Sequence, residues 1–252
     1  NLFVSTVFVV AFVDGDKNKE DIQHHEQKLK QQVLDIFDET LDVSSQVAVT
    51  SNISKWVKKH VNDFDLVIKT GNRSEKLFYT PTDWQLIRHI DCTLLITSTK
   101  KWNPKSTILA SVDVTDDNAT QKAINTQVLK EANLWAQTQN YKLHVAYSVP
   151  VPKAALEFDM ISMDEVKLER LPEAKKRMSE LIGSAQLDEI EQHIEFGDAE
   201  KRIPSIANKV KADLVIMGSV GRKGVNGFLL GNTAEKVMRN LRTDILIIKP
   251  GS

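Results

Sequence analysis

The sequence is short of several things, and each absence narrows what the protein can be. It has one cysteine, Cys92, in 252 residues. No disulfide can form within the chain, and a reducing compartment fits. It has no surplus of either charge: 33 Lys+Arg stand against 34 Asp+Glu, a formal net charge of −1. A dedicated nucleic-acid binder carries a basic excess, and so does a polybasic membrane anchor, so neither nucleic acid nor membrane is expected as a partner. It has no long apolar run. The stretch from Val7 to Val13 is far shorter than the ~20 residues of a spanning helix. Residues Asn1 to Val4 carry no basic segment of the signal-peptide kind. No methionine opens the sequence, which leads to the expectation that it begins inside a longer gene product. What is present is 41% hydrophobic and 27% charged residues. That suits one large domain or two small ones, either able to bury a core. A globular, cytoplasmic protein is the expectation.

The second half has the clearest pattern. Short apolar runs at 107–114, 141–149, 189–196, 213–218 and 244–249 read as strands. Between them, 116–138, 163–182, 200–211 and 233–241 read as helices. Ile203, Ile206, Ala207 and Val210, for example, fall at i, i+3, i+4 and i+7. Strands alternating with helices predict a parallel sheet covered on both faces. Such sheets bind ligands at the carboxyl ends of the strands, where strand order reverses.

An internal repeat predicts two domains. The run beginning Asp65-Leu66-Val67-Ile68 returns at Asp213-Leu214-Val215-Ile216, an offset of 148. Thr82 to Arg88 parallels Thr233 to Arg239 at an offset of 151, so the loop before that helix is three residues shorter in the first copy. Projecting Thr107 back by 148 falls before residue 1, so the first copy lacks its opening strand and helix. Residues 101–106 read as a linker between domains at 1–100 and 107–252.

The segment richest in chemical meaning is 218–233. Gly218, Gly221 and Gly231 punctuate it with spacing G-x2-G-x9-G, between a buried strand and a helix. Glycine admits φ > 0 and close approach of backbone to a ligand. Free N–H groups and the dipole at the following helix N-terminus attract anions. Arg222 and Lys223 add positive charge. Asn232 is a plausible N-cap, with Glu235 three residues on to complete a capping box. The segment reads as a phosphate cradle, weighed against a plain connecting loop. It is neither a P-loop nor the G-x-G-x-x-G dinucleotide fingerprint.

This spacing, after an apolar strand ending Met217-Gly218-Ser219, resembles the ATP-binding type of universal stress protein. The resemblance covers the whole second half, and the first half, with residues 79–84, is similar to the degenerate first domain of tandem members. It implies an α/β fold of two tandem domains, each a mostly parallel five-stranded sheet with helices on both faces. It implies that ATP, with Mg²⁺ as companion, is the ligand of the second domain. Asp113 would then face the adenine, with Val112 and Val114 beside it and Val145 or Ala146 flanking the ring. Met217 and Gly218 would meet the ribose and α-phosphate, and Gly221, Arg222, Gly231, Asn232 and Thr233 would hold the phosphates. The resemblance also implies that the two halves pack as an intrachain pseudo-dimer with their last strands near the pseudo-twofold; a homodimer of whole chains is left open. Asn232, where serine is commoner, departs from the pattern.

The first copy has lost the cradle. No second glycine follows Gly71 at the needed spacing. Thr80, Pro81 and Asp83 suit a helix that caps itself, with Pro81 removing an N–H and Asp83 placing a negative charge where a phosphate would sit. Trp84, with Phe78 and Tyr79, reads as packing, or as the wall of an apolar pocket. His24 and His25 are adjacent and do not share a helix face. His60, His89, His144 and His193 show no zinc-ligand spacing. Since 218–233 contains no Asp or Glu, a fast ATPase is not expected. The competing readings are a slow ATPase and a scaffold whose first domain binds an apolar ligand or a partner.

Overall fold

The computed structural model describes residues 6–71, 81–98, 101–102, 104–115, 118–158, 160–187, 190–219, 223–224, 227–228 and 232–249. The chain divides into two compact units, 1–60 and 61–252.

In the first unit, β1 (Thr6–Val13), α1 (Lys19–Ile36) and β2 (Asp42–Val49) form a β-α-β unit whose two strands pair in parallel, with Val13 opposite Val49. Asn18 starts α1 by accepting the Asp21 N–H at 2.8 Å, and Glu20 and Asp21 complement the dipole in the first turn. Val13, Leu29 and Val47 form a small core. A short helix, α2 (Ile53–His60), carries Trp56, whose ring meets Phe12 edge-on at 5.3 Å and stacks on His60 at 3.9 Å.

The second unit holds a seven-stranded sheet. Its first elements are β3 (Leu66–Thr70), α3 (Pro81–His89) and β4 (Thr93–Thr97). Then come β5 (Thr107–Ser111), α4 (Ala119–Gln139), β6 (Lys142–Val149), α5 (Lys153–Glu157), α6 (Met163–Ser184) and β7 (Glu191–Phe196). The chain continues through α7 (Ala199–Lys209), β8 (Leu214–Gly218), the two-residue strands β9 (Lys223–Gly224) and β10 (Gly227–Phe228), α8 (Asn232–Asn240) and β11 (Asp244–Ile248). Strand order is β3-β4-β11-β8-β5-β6-β7, parallel except where β11 meets β4.

The repeat is visible in the elements. β3 and β8 are offset by 148 residues (214 − 66), while α3 and α8, and β4 and β11, are offset by 151 (232 − 81 and 244 − 93). The last strands of the two copies meet antiparallel, Leu95 opposite Leu246, the pairing a twofold requires.

The central strands β5, β8 and β11 are buried on both faces, which is why they read as continuous apolar runs. Ile108, Leu109, Val145, Leu214, Ile216, Ile245 and Ile247 have no exposure. β5 stops at Ser111, three residues before the expected end at 114, because the chain leaves the sheet there to form the loop that enters α4.

Buried polar groups mark the sheet's lower edge. Asp213 accepts the Thr107 N–H at 3.2 Å. Asp244 accepts the Ser98 N–H at 2.6 Å and the Trp102 indole N–H at 2.7 Å. In α3, Asp83 is fully buried and pairs with Lys69 at 2.6 Å. Trp84 lies beneath the guanidinium groups of Arg88 and Arg239, both of which bond Glu235. Glu235 was expected to close a capping box on Asn232; its carboxylate is instead spent on these two arginines, which join α3 to α8.

Candidate functional site

From β5 the chain steps to β6 and then β7 on one side, and β8 then returns to the other side of β5. The connections leave β5 and β8 in opposite directions, which opens a crevice at their carboxyl ends. A cavity of about 560 Å³ lies there. Its floor is Ser111 at the end of β5, Val112 and Asp113 just after it, and Met217 and Gly218 at the end of β8. Tyr147 and Ser148 enter from β6. Two helix N-termini open onto it: α7, with Asp198, Ala199 and Glu200, and α8, with Asn232, Thr233 and Ala234. Unpaired N–H groups at such ends favour an anion.

The loop after β5 is rigidly held. Asn125 on α4, 4% exposed, bonds both backbone groups of Asp113: its Oδ1 accepts the N–H at 3.2 Å and its Nδ2 donates to the carbonyl at 2.7 Å. Gln121 donates to Asn125 at 3.0 Å. The Asp113 carboxylate accepts the Thr115 N–H at 2.9 Å. Arg177 on α6 donates to the Val114 and Thr115 carbonyls. The Tyr147 hydroxyl meets Thr115 Oγ1 at 3.0 Å, and burial holds its pKa above the usual 10.

Asp198 and Glu200 on the cavity lining are each held in an ion pair. Lys153 pairs with Asp198 at 2.7 Å, and its hydrogen bond holds the Asp198 carboxyl below the usual range. Lys236 pairs with Glu200 at 3.1 Å. Gly197, at φ +135°, is a true glycine position; a Cβ there would also lie 2.8 Å from Arg202 Nε. Its carbonyl accepts the Ser148 hydroxyl at 2.9 Å.

Of the residues expected at the site, Val112, Asp113, Met217, Gly218, Asn232 and Thr233 line this cavity. Gly221, Arg222 and Gly231 lie outside the described residues. Val114 and Ala146 are not on the wall. Val114 is 7% exposed and packs into the main apolar cluster with Val145 and Tyr147. Ala146 is fully buried opposite Ser111, one step below the mouth, where Tyr147 and Ser148 take over. Gly218, on the cavity floor, also has a packing role. It is not among the positive-φ residues, and a Cβ there would meet Ile124 Cγ1 of α4 at 2.6 Å. Its lack of side chain lets α4 lie close against β8.

Residues 107–249 match the model of the universal stress protein family. The chain belongs to that family. It is 30% identical over 218 residues to the universal stress protein E homolog of Haemophilus influenzae, covering 83% of this chain and 71% of that one. It is 31% identical over 196 residues to universal stress protein E of Escherichia coli K12, covering 74% of this chain and 61% of that one. The chain thus spans about three fifths to seven tenths of these relatives. A functionally unknown protein from Pseudomonas aeruginosa PAO1 has the same fold, at TM-score 0.73 and 23% identity over 97% of this chain and 92% of its own. So does a universal stress protein from Archaeoglobus fulgidus, at TM-score 0.63 and 17% identity over 98% and 89%.

Within this universal stress protein fold, sequence reasoning missed Asn125, Tyr147, Gly197, Asp198, Glu200 and Lys236. Asn125 sits on the buried face of an otherwise apolar helix, a detectable signal. Gly197-Asp198 at a strand-to-helix junction is another. Glu200 and Lys236 carry no local signal, since charges on a helix are ordinarily solvated.

Proposed function

We propose that the chain holds one molecule of ATP in the cavity at the carboxyl ends of β5 and β8, and acts as a cytoplasmic stress-response or regulatory protein rather than a fast enzyme. The observation that carries this reading is the cavity's location at the point of strand-order reversal, with the N-termini of α7 and α8 opening onto it. The tandem reading of residues 1–100 and 107–252 around a linker at 101–106 belongs to the same proposal, with only the second domain keeping the glycine spacing. In it, Asp113, held by Asn125, faces the adenine; the ribose lies over Met217 and Gly218; the phosphates run toward Asn232 and Thr233, with Gly221, Arg222 and Gly231 completing the cradle. Lys236 is the cation on the described wall.

A second reading, slow hydrolysis with Mg²⁺, is favoured by one observation. The glycine loop has no carboxylate, but Asp113, Asp198 and Glu200 reach the cavity from other elements. With Asp113 at the adenine, Asp198 and Glu200 are the carboxylates left for a phosphate-bound Mg²⁺, and their pairing with lysines keeps hydrolysis slow.

The test is mass spectrometry of small molecules released from purified protein, followed by calorimetric titration. One adenine nucleotide per chain is expected, with ADP accumulating over hours at most. Two equivalent sites, or no nucleotide binding by folded protein, would overturn the reading.

A further inference from the structure

We propose that His144, His193 and Glu191 form a site for a zinc-like divalent cation, separate from the nucleotide cavity. In sequence these residues are 47 and 49 positions apart (191 − 144 and 193 − 144) and show no ligand spacing. Parallel pairing of β6 with β7 brings them together. His144 stands opposite Glu191, and His193 opposite Ala146. Residues two apart on a strand share a face, so all three side chains project from the same side of the sheet. His144 Nδ1 lies 2.9 Å from His193 Nε2. The Glu191 carboxylate reaches both ring nitrogens, Oε2 3.5 Å from His144 Nδ1 and Oε1 3.7 Å from His193 Nε2. The three ligating atoms lie within 4.8 Å of one another.

These spacings suit a metal. Four ligands at about 2.0–2.2 Å in a tetrahedron stand roughly 3.4 Å apart. Each nitrogen already has one carboxylate oxygen near this spacing, so a small turn of the exposed Glu191 side chain and a parting of the two nitrogens by about half an ångström complete the three-ligand arrangement. Two imidazoles and one carboxylate are the donor set of zinc sites that keep one position open. The rings are sheltered on strands, with side chains 11% and 9% exposed, while Glu191 is 68% exposed. The site therefore has two rigid ligands and a movable third on the solvent side. Burial lowers the pKa of both histidines, and Lys142 acts on His144, and Lys209 on His193, in the same direction; Glu191, and for His193 also Glu195, opposes the shift. Neutral rings are the ligating form. In the metal-free pair one nitrogen donates its proton to the other; binding requires that proton to move to the far nitrogen of its own ring, with no net change in charge. His144 lies near the amino end of β6, whereas Tyr147 and Ser148 of the nucleotide cavity lie near its carboxyl end.

The experiment titrates Zn²⁺ into the chelator-treated full chain, without nucleotide, against a competing indicator. Co²⁺ spectra then report the ligand field. One tight Zn²⁺ per chain is expected, with the visible bands of four-coordinate Co²⁺. Glu191→Gln and His193→Asn should each weaken binding at least ~10-fold. A His24→Ala/His25→Ala double variant should not. Should His193→Asn fail to fold by circular dichroism, Glu191→Gln decides, because its exposed side chain bears no packing. Zinc affinity unchanged in Glu191→Gln, or a parent chain that retains no Zn²⁺, would overturn the proposal and leave an ordinary histidine hydrogen bond.

Discussion

At the scale of single residues, packing and ligand roles can be told apart by experiment. Gly218 is the sharpest case. A methyl group there would sit 2.6 Å from Ile124 Cγ1, so Gly218→Ala should cost about 1–3 kcal/mol of stability through overpacking. Ile124→Ala removes the obstructing carbons, and the double variant should be more stable than the two single losses added together. Chemical denaturation of the four proteins measures the coupling. If Gly218→Ala leaves stability unchanged and weakens ATP binding alone, the glycine serves the ligand after all. Asp244 makes a second case. Its carboxylate accepts from Ser98 and Trp102 while 3% exposed. Asn in its place turns an NH₂ toward one of those donors. A loss of about 1–3 kcal/mol is expected, read as a lower denaturant midpoint; an unchanged midpoint would show that the two bonds contribute nothing net.

At the scale of elements, β11 carries the most consequence. It pairs in parallel with β8, its neighbour in the second copy, and antiparallel with β4 of the first. Leu246 is 1% exposed at the centre of both pairings. Leu246→Ala should therefore cost about 2–5 kcal/mol. It should also raise hydrogen exchange in both β4 and β8, since both lose a packed neighbour. Faster exchange in β8 alone would argue that the two copies are not coupled through this seam. The same measurement tests the nucleotide site. ATP should slow exchange at 112–115, 197–200 and 232–237, and leave 81–89 nearly unchanged. Protection centred on 81–89 would move the site to α3, where the buried Asp83–Lys69 pair now occupies the helix's first turn.

At the scale of the whole molecule, one buried charge shapes the response to pH. Lys249, 1% exposed, donates to the Ile87 carbonyl, and burial lowers its pKa from 10.5 to about 8, opposed by Asp91 and Cys92. The unfolded chain binds more protons than the folded one between those values, so this group's contribution to stability rises with pH across about 8 to 10.5. Full development is worth roughly 3 kcal/mol. Cys92 works the other way: burial raises its thiol from 9.0 to about 11, and its contribution falls as pH rises from 9 to 11. Unfolding of the parent against Lys249→Met at pH 7 and pH 10 separates the two. The parent should gain on the variant at the higher pH, and a constant difference would show that Lys249 keeps an ordinary pKa.

Composition and periodicity determined much of this. Single-cysteine usage, balanced charge and the strand–helix alternation in 107–249 follow from local chemistry, because strands buried on both faces must be continuously apolar. The repeat was legible too, since equivalent positions in two copies face equivalent environments. Helix and strand limits held to within a few residues, and the floor of the cavity, from Val112 and Asp113 to Met217 and Gly218, was readable from strand ends. Tertiary structure alone decided which distant groups meet. Register between β6 and β7 set His144 against Glu191 and beside His193. The return of β8 past β5 gathered Asp198, Glu200 and Lys236 around one cavity. Packing of α4 on β8 set Gly218 against Ile124. Register and helix packing are contacts between residues far apart in the chain, and no local pattern of residue types encodes which partner a side chain will find.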